Sequence, residues 1–186
     1  MDVVEHATRD HLDAGLAAVA ASPADDGRLE MIVCRPEVDG RRVLEEGVLE
    51  VGAGLIGDNY LARGSSTTED GSADPEAQLN LMNARAVDLV ALGDRERWSL
   101  AGDQLFVDFD LSVTNAPTGT RLRIGSATLE VSAKPHRGCA KFAQRFGIEA
   151  ARWVNSDDEL RLRGINARVV EAGTVRAGDR ITKLPA

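Results

Sequence analysis

The chain has few cysteines, no long apolar run and no excess of basic residues. Its two cysteines, Cys34 and Cys139, are too few for a disulfide framework and, without a C-x-x-C motif, for a standard structural zinc site. No stretch approaches the roughly 20 apolar residues of a membrane span, and the first residues lack the basic start and apolar run of a signal peptide. We therefore expect free thiols and a soluble, cytoplasmic protein that makes no contact with a membrane.

The distribution of charge disfavours one class of partner and favours another. The net charge of -8 makes the surface as a whole a poor match for nucleic acid, so no nucleic-acid partner is expected. Residues 1–120 hold 9 Lys and Arg against 23 Asp and Glu, whereas residues 121–186 hold 13 against 7. No acidic residue lies between Glu130 and Glu149. This local excess of positive charge indicates a site for an anionic small molecule.

Short strands dominate the pattern of apolar residues. Strand-like patterns occur in LEMIVCRPEV, RRVLEEGVLEV, QLNLM, LFVDFDL, TRLRIG and ATLEVSA, and the closing ARVVEAGTVRAGDRITKL predicts two strands around a glycine-bearing turn. Helical spacing predicts short helices over residues 3–21, over residues 84–93 and in CAKFAQRFG. The absence of a regular strand-helix alternation disfavours a doubly wound nucleotide-binding fold.

These elements predict a mainly β fold with short α-helices, in which a single β-barrel domain accounts for most of the chain. We assign residues 28–186 to the barrel domain and residues 1–27 to an N-terminal helical extension. The sequence also contains no internal repeat, P-loop or dinucleotide-binding glycine pattern. The Gly-rich GAGLIGDNYLARG is predicted to be a loop, with Asp58 as a turn residue.

The stretch KPHRGCAK, residues 134–141, surrounds one cysteine with basic side chains. These side chains are Lys134, His136, Arg137 and Lys141. The preceding strand is expected to turn at Pro135 and Gly138 and to place Cys139 at the start of a helix. The positive end of the helix, together with Arg137, Lys141 and a protonated His136, would favour the thiolate form of Cys139. Such a thiolate is a better nucleophile and a better metal ligand.

Other interpretations of Cys139 compete with this one. Free cysteines are often small buried hydrophobic residues, as we predict for Cys34 in the apolar run MIVC. The chain would then be a non-catalytic β-barrel that binds an anionic metabolite or a partner protein. Hydrolysis by Cys139 with His136 as its base is a weaker alternative, because their spacing in a loop does not by itself aim the imidazole at the sulfur.

Five segments, taken in order, carry a family resemblance. They are GLIGD at 54–58, QLNLM at 78–82, RIGSATLEVS at 123–132, PHRGC at 135–139 and RVVEAGTVRAGDRI at 168–181. Together they resemble the MOSC domain, which is the C-terminal domain of molybdenum cofactor sulfurases and of which stand-alone bacterial members exist. The similarity runs from about Leu29 to Ile181. It implies a barrel-like fold that binds the molybdenum cofactor, molybdopterin, or carries sulfur for it.

The resemblance implies roles for the residues around Cys139. The family's cysteine falls on Cys139, which would be the catalytic residue and would either ligate molybdenum or hold a persulfide sulfur. The cofactor-binding candidates are Lys134, His136, Arg137 and Lys141. The implied activity is sulfur transfer to the cofactor or a small molybdenum-dependent oxidoreductase. In one departure from the family, LAGDQLFVDFDLS lacks the arginine-asparagine pair that many relatives carry there.

The resemblance also bears on partners. The full sulfurase has an aminotransferase-like domain that uses pyridoxal phosphate, and this chain has no room for it. Pyridoxal phosphate is therefore not expected in this chain but in a separate partner, a cysteine desulfurase. A molybdoenzyme is the other expected partner.

Overall fold

The computed structural model describes residues 5–185, and within this range the chain forms eleven strands and five α-helices. The strands are β1 (Gly27–Cys34), β2 (Arg42–Leu44), β3 (Glu46–Glu50), β4 (Gly54–Leu55), β5 (Leu79–Asn83), β6 (Leu105–Asp108), β7 (Arg121–Ile124), β8 (Ala127–Pro135), β9 (Ile165–Glu171), β10 (Gly173–Arg176) and β11 (Arg180–Lys183). The helices are α1 (Arg9–Ala20), α2 (Tyr60–Arg63), α3 (Ala84–Val90), α4 (Ala140–Phe146) and α5 (Ile148–Val154), with 3-10 helices at Pro75–Ala77 and Arg95–Ala101.

Seven strands close into a barrel in the order β1-β11-β7-β8-β9-β5-β6, and β6 returns to β1. The pairs around the barrel are antiparallel except for β5 and β6, which run parallel. Strand β2 extends the sheet beyond β1, and β10, β3 and β4 form a separate three-stranded sheet. The predicted fold, a single mainly β barrel domain with short helices, is confirmed.

Two hydrophobic cores lie on opposite faces of β1. Leu29 and Ile32 belong to the core inside the barrel, whereas Met31 and Val33 belong to a second core shared with the helices. A bulge between Leu29 and Met31 shifts the register against β6. Because a strand that is buried on both faces is apolar at nearly every position, MIVC reads as a continuous apolar run in the sequence. Cys34 is buried in the barrel core, as predicted.

The helices cover one side of the barrel. Helix α1 begins at Arg9, where the Thr8 side chain caps it by accepting a hydrogen bond from His11 N, and it packs against α3 and α5. The sequence predicted this helix over residues 3–21, of which 3 and 4 lie outside the described residues. The boundary between an extension at 1–27 and a domain at 28–186 stays a prediction. Among residues 5–185, none of the helices has both the length and the apolar character needed to cross a bilayer.

One local prediction was wrong, and one helix was missed. The closing segment forms three strands rather than two: β9 pairs with β8 and β5, β10 pairs with β3 in the small sheet, and β11 pairs with β7 and β1. The sequence also gave no separate signal for α5, which follows α4 after Gly147. Gly147 has a φ of 90°, so it ends α4, as predicted, and lets the next helix start in a new direction.

Candidate functional site

Cys139 lies between β8 and α4, where its backbone is extended and its side chain is exposed. Its carbonyl oxygen accepts a hydrogen bond from Ala143 N at 3.1 Å, which begins the helix. Phe142 and Phe146 hold α4 against the core that the helices share, since both are buried and their ring centroids lie 4.9 Å apart. The predicted position of Cys139 at the start of a short helix is therefore confirmed.

A single amide holds the turn that precedes Cys139. Gly138 N donates to Asn155 Oδ1 at 2.8 Å, and Asn155 Nδ2 donates to Gly138 O at 3.2 Å. A Cβ atom at Gly138 would lie 3.1 Å from Val154 Cγ2, so the turn fits closely against the end of α5. Asn155 thus fixes the backbone that presents the thiol, a role that no sequence pattern indicated.

The thiol opens onto a cavity of about 270 Å³ whose wall is rich in arginine. The cationic lining residues are Arg35, Arg41, Arg63, Arg137, Lys141, Arg145 and Arg163, and the acidic ones are Glu37 and Asp39. Clustered guanidinium groups bind anions well because each offers a planar fork of N–H donors. The cavity therefore favours an anionic ligand next to a thiol.

Carboxylates from other parts of the chain neutralise some of these cations. Asp58 receives two hydrogen bonds of 2.9 Å from the Arg35 guanidinium and a further one from the Arg35 backbone N. Asp58 also accepts from Tyr60 N, which confirms it as a turn residue. Asp39 is shared between Lys141 at 3.1 Å and Arg145 at 2.8 Å. Part of the positive charge between Glu130 and Glu149 is thus neutralised by Asp39.

Two of the arginines keep an unmatched charge. Within the described residues, neither Arg41 nor Arg63 forms an ion pair with a carboxylate. Arg41 is partly buried, and its Nε atom has no hydrogen-bond partner there. Burial, followed by the nearby charges of Arg145 and Arg35, lowers the pKa of Arg41. The Oδ1 atom of Asn59, also in the wall, is likewise buried without a partner among these residues. Buried polar atoms are normally hydrogen-bonded, so the wall is suited to a polar ligand.

Behind the cavity, His136 belongs to a buried charged group. Its Nε2 lies 2.8 Å from Asp103 Oδ1, and Arg163 Nη1 donates to both oxygens of Asp103 at 2.8 and 2.7 Å. Burial raises the cost of ionising Asp103, but the positive charge of Arg163 and the bond to His136 outweigh it and lower its pKa. Burial, together with Arg163, also lowers the pKa of His136. The lowered pKa of His136 disfavours the imidazolium form that the sequence suggested next to the thiol.

The sequence of residues 68–182 matches a family model described as MOSC domain. The chain belongs to the MOSC domain family. Its membership relates the protein to the molybdenum cofactor, with which MOSC domains are associated. No curated protein sequence matches this MOSC domain. The resemblance found in the sequence is thereby confirmed.

Solved structures share the fold of this MOSC domain. The YUAD protein from Bacillus subtilis has a TM-score of 0.60 at 16% identity, with 83% of this chain and 93% of that chain covered. YiiM from Escherichia coli has a TM-score of 0.56 at 22% identity, with 86% and 70% covered. A structure described only as that of a hypothetical protein has a TM-score of 0.59 at 20% identity, with 87% and 69% covered. At these identities the likeness concerns the fold alone.

The MOSC domain brings most of the predicted site residues together. Cys139, His136, Arg137 and Lys141 all line the arginine-rich cavity. Arg137 also forms a 2.6 Å ion pair with the exposed Asp158. Lys134 instead lines two neighbouring cavities, and it pairs with Asp74 and donates to Thr67 Oγ1 at 2.9 Å. The assignment of these residues to a cofactor stays a prediction.

Several residues of the cavity were not predicted from the sequence. Arg35, Arg41 and Arg63 come from the acidic N-terminal part of the chain, where the overall charge obscured them. The sequence features that could have found them are the pair Arg41 and Arg42 at the start of β2, and Arg63 near the end of the Gly-rich stretch. Only the barrel, which brings β1 and α4 to one end, places these arginines beside Cys139.

His136 should make the stability of the MOSC domain depend on pH. The unfolded chain takes up a proton at the ordinary imidazole pKa of 6.5, whereas the folded protein resists it because the His136 pKa is lowered. Its contribution is fully present above pH 6.5 and is lost as the pH falls below this value. Urea unfolding from pH 8 to pH 5 should show this loss, and His136→Gln should reduce it. A His11→Gln control at an exposed position should keep the wild-type profile, and an unchanged profile in His136→Gln would contradict the assignment.

Proposed function

We propose that this MOSC domain binds the molybdenum cofactor, with Cys139 as the protein ligand to molybdenum and the arginine-rich cavity as the site of the phosphate. The observation that carries the proposal is the placement of an exposed thiol on the same cavity wall as Arg41 and Arg63, neither of which pairs with a carboxylate within residues 5–185. Thiolates are soft ligands that suit such metals, and guanidinium groups bind phosphate. One cavity thus offers both kinds of contact that the cofactor needs.

The residues of the cavity fit this group. Arg41 Nε and Asn59 Oδ1 are buried without partners among residues 5–185, so a phosphate and the polar edge of a pterin would supply the missing hydrogen bonds. The bound metal would supply the redox chemistry of an oxidoreductase. The chain itself would hold the thiolate in place through the Gly138 turn and neutralise the anion through Arg41, Arg63 and Lys141.

The first test measures molybdenum and oxidised pterin in protein purified from a host that makes the cofactor. We expect both in the wild type and neither in Cys139→Ala, while Cys34→Ala, which removes the buried thiol, should keep both. Thermal unfolding of each variant checks that the fold is intact. Equal molybdenum and pterin in the wild type and Cys139→Ala would refute the role of Cys139.

The exposure of Cys139 supports a second candidate function, sulfur transfer. The Cys139 thiolate would attack the terminal sulfur of a donor persulfide, the donor's S–S bond would break, and the donor thiol would leave as a thiolate. Cys139 would then carry the sulfur as its own persulfide. A cysteine desulfurase would be the natural donor and a molybdoenzyme, through its cofactor, the recipient.

Mass spectrometry separates this candidate from the first. After incubation with a low-molecular-weight persulfide, the peptide that contains Cys139 should gain the mass of one sulfur atom, and the peptide that contains Cys34 should not. A wild type with neither molybdenum and pterin nor this added sulfur would favour the remaining alternative, a non-catalytic barrel that binds an anionic metabolite or a partner protein.

A further inference from the structure

A second cavity, of about 250 Å³, lies beside the end of β8. It shares three wall residues with the arginine-rich cavity, namely His136, Arg137 and Arg163, but Cys139 is not among its lining residues. Nothing in the proposed role of Cys139 uses it. The polar groups in its wall therefore need an explanation of their own.

A distortion of the barrel opens this cavity. Val131 pairs with Ala167 and Pro135 pairs with Ile165, so β8 advances four residues where β9 advances two. The side chain of Asn166 bridges the bulge by donating to the Lys134 carbonyl at 3.0 Å. Bulges of this kind redirect side chains and are common next to binding sites. Here the bulge places Ser132 in the cavity wall.

Two buried polar atoms in the wall have no hydrogen-bond partner in the described part of the chain. They are Ser132 Oγ and Arg163 Nε. Ser132 is only 7% exposed and Arg163 only 5%, so bulk water does not satisfy either side chain. The remaining guanidinium nitrogens of Arg163 bind Asp103 and the Ala101 carbonyl, which fixes the orientation of the Nε–H group. A hydroxyl and an N–H donor are thus held ready for an acceptor.

The rest of the wall indicates the chemistry of that acceptor. Arg161 lines the cavity and, within residues 5–185, binds the carbonyls of Ala116 and Leu111 but no carboxylate. Among the other charged lining residues, Lys134 pairs with Asp74 and Asp158 pairs with Arg137. Asp157 accepts from two backbone N–H groups and has no cationic partner within residues 5–185. Apolar surface comes from Val113, Val154 and Ile165. The wall therefore offers donors, one unmatched cation and an apolar side.

We infer that this second cavity is a separate binding site for a small organic carboxylate. The carboxylate accepts hydrogen bonds from Ser132 Oγ and Arg163 Nε, Arg161 neutralises its charge, and its apolar part contacts Val154 and Ile165. The site does not depend on Cys139 or on any cofactor. Because His136 and Arg137 stand between the two cavities, a ligand here lies next to the Cys139 site.

Benzoate is a suitable probe, because it joins a carboxylate to a small apolar ring, and benzyl alcohol is its neutral control. Backbone amide shifts of the 15N-labelled full chain should saturate with benzoate at Ser132, Gly164 and Ile165. Benzyl alcohol should give no saturable shift. Ser132→Ala should weaken binding about tenfold through the loss of one hydrogen bond to a charged group. Ser132→Val, which also fills the space, should abolish binding.

Two further variants separate this site from its surroundings. Cys139→Ala should bind benzoate like the wild type, which keeps this test independent of the function proposed for Cys139. Ser66→Ala, the same substitution at an exposed position, should also be unchanged. If Ser132→Val does not fold, as judged by thermal unfolding, Ser132→Ala and Arg161→Ala decide the matter. The inference is overturned if benzoate gives no saturable shift, which is the result expected if water alone occupies the cavity. It is equally overturned if the shifts centre on Cys139 and survive the Ser132 variants.

Discussion

Replacement of Arg163 by methionine should lower the free energy of unfolding by about 3–5 kcal/mol, the range observed when one partner of a buried ion pair is removed. Asp103 is fully buried, and Arg163 supplies two of the hydrogen bonds that hold its carboxylate. Methionine fills much of the space but leaves a negative charge in the interior, where His136 is the remaining side-chain partner of Asp103 among the described residues. Urea unfolding at pH 7 measures the loss.

Two controls determine whether the charge or the packing is responsible. Arg152→Met breaks an exposed pair with Glu149 and should cost less than about 1 kcal/mol. The double variant Arg163→Met with Asp103→Asn removes both charges and should recover part of the loss. If the free energy of unfolding of Arg163→Met lies within about 1 kcal/mol of the wild-type value, the buried pair does not stabilise the fold.

The double variant Arg41→Ala with Arg63→Ala should weaken the binding of inorganic phosphate about 100-fold, because hydrogen bonds to charged groups contribute about 1.5–3 kcal/mol each. Neither arginine has a carboxylate partner within residues 5–185, so both donors are available to an anion. Because the double variant breaks no ion pair of these arginines within residues 5–185, its free energy of unfolding should not fall. Burial lowers the pKa of Arg41, which means that the folded protein holds this charge at a cost. Calorimetric titration and urea unfolding measure the two effects.

A matched pair of variants tests whether the effect is local. Arg28→Ala with Arg42→Ala removes the same net charge from exposed positions outside the cavity, and Arg42 is the immediate neighbour of Arg41. Water and salt screen exposed charges that do not contact the anion, so this variant should bind phosphate nearly as well as the wild type. An equal loss in both double variants would show that phosphate responds to overall charge and not to the cavity.

The sequence predicted those parts of the site that depend on neighbours along the chain. Pro135, Gly138 and Gly147 mark the end of β8, the turn and the end of α4, and together they placed Cys139 correctly. The alternation of Leu129 and Val131 likewise predicted a strand of the barrel. Each of these signals acts within a few residues, which is the range over which backbone geometry responds to sequence.

Local sequence patterns do not predict contacts between distant segments. Asp103 meets His136 and Arg163 across 33 and 60 residues, and nothing local to any of them announces the group. The prediction of two closing strands was wrong for the same reason. The glycines of the last segment suggested a hairpin, but the neighbours of β9, β10 and β11 are set by closure of the barrel and by the small sheet. Local patterns predict strands more reliably than they predict partners.

The parallel pair of β5 and β6 has a consequence for the chemistry of the site. Strand direction reverses at every antiparallel step, so a ring with an odd number of strands can close only if two neighbours point the same way. Parallel neighbours in turn need a long connection that returns the chain to its starting end, and residues 84–104 make this return outside the barrel. Asp103 lies in the final residues of that return, where it meets His136. Because the barrel has an odd number of strands, it needs this long connection, and the connection places the Asp103 carboxylate next to His136.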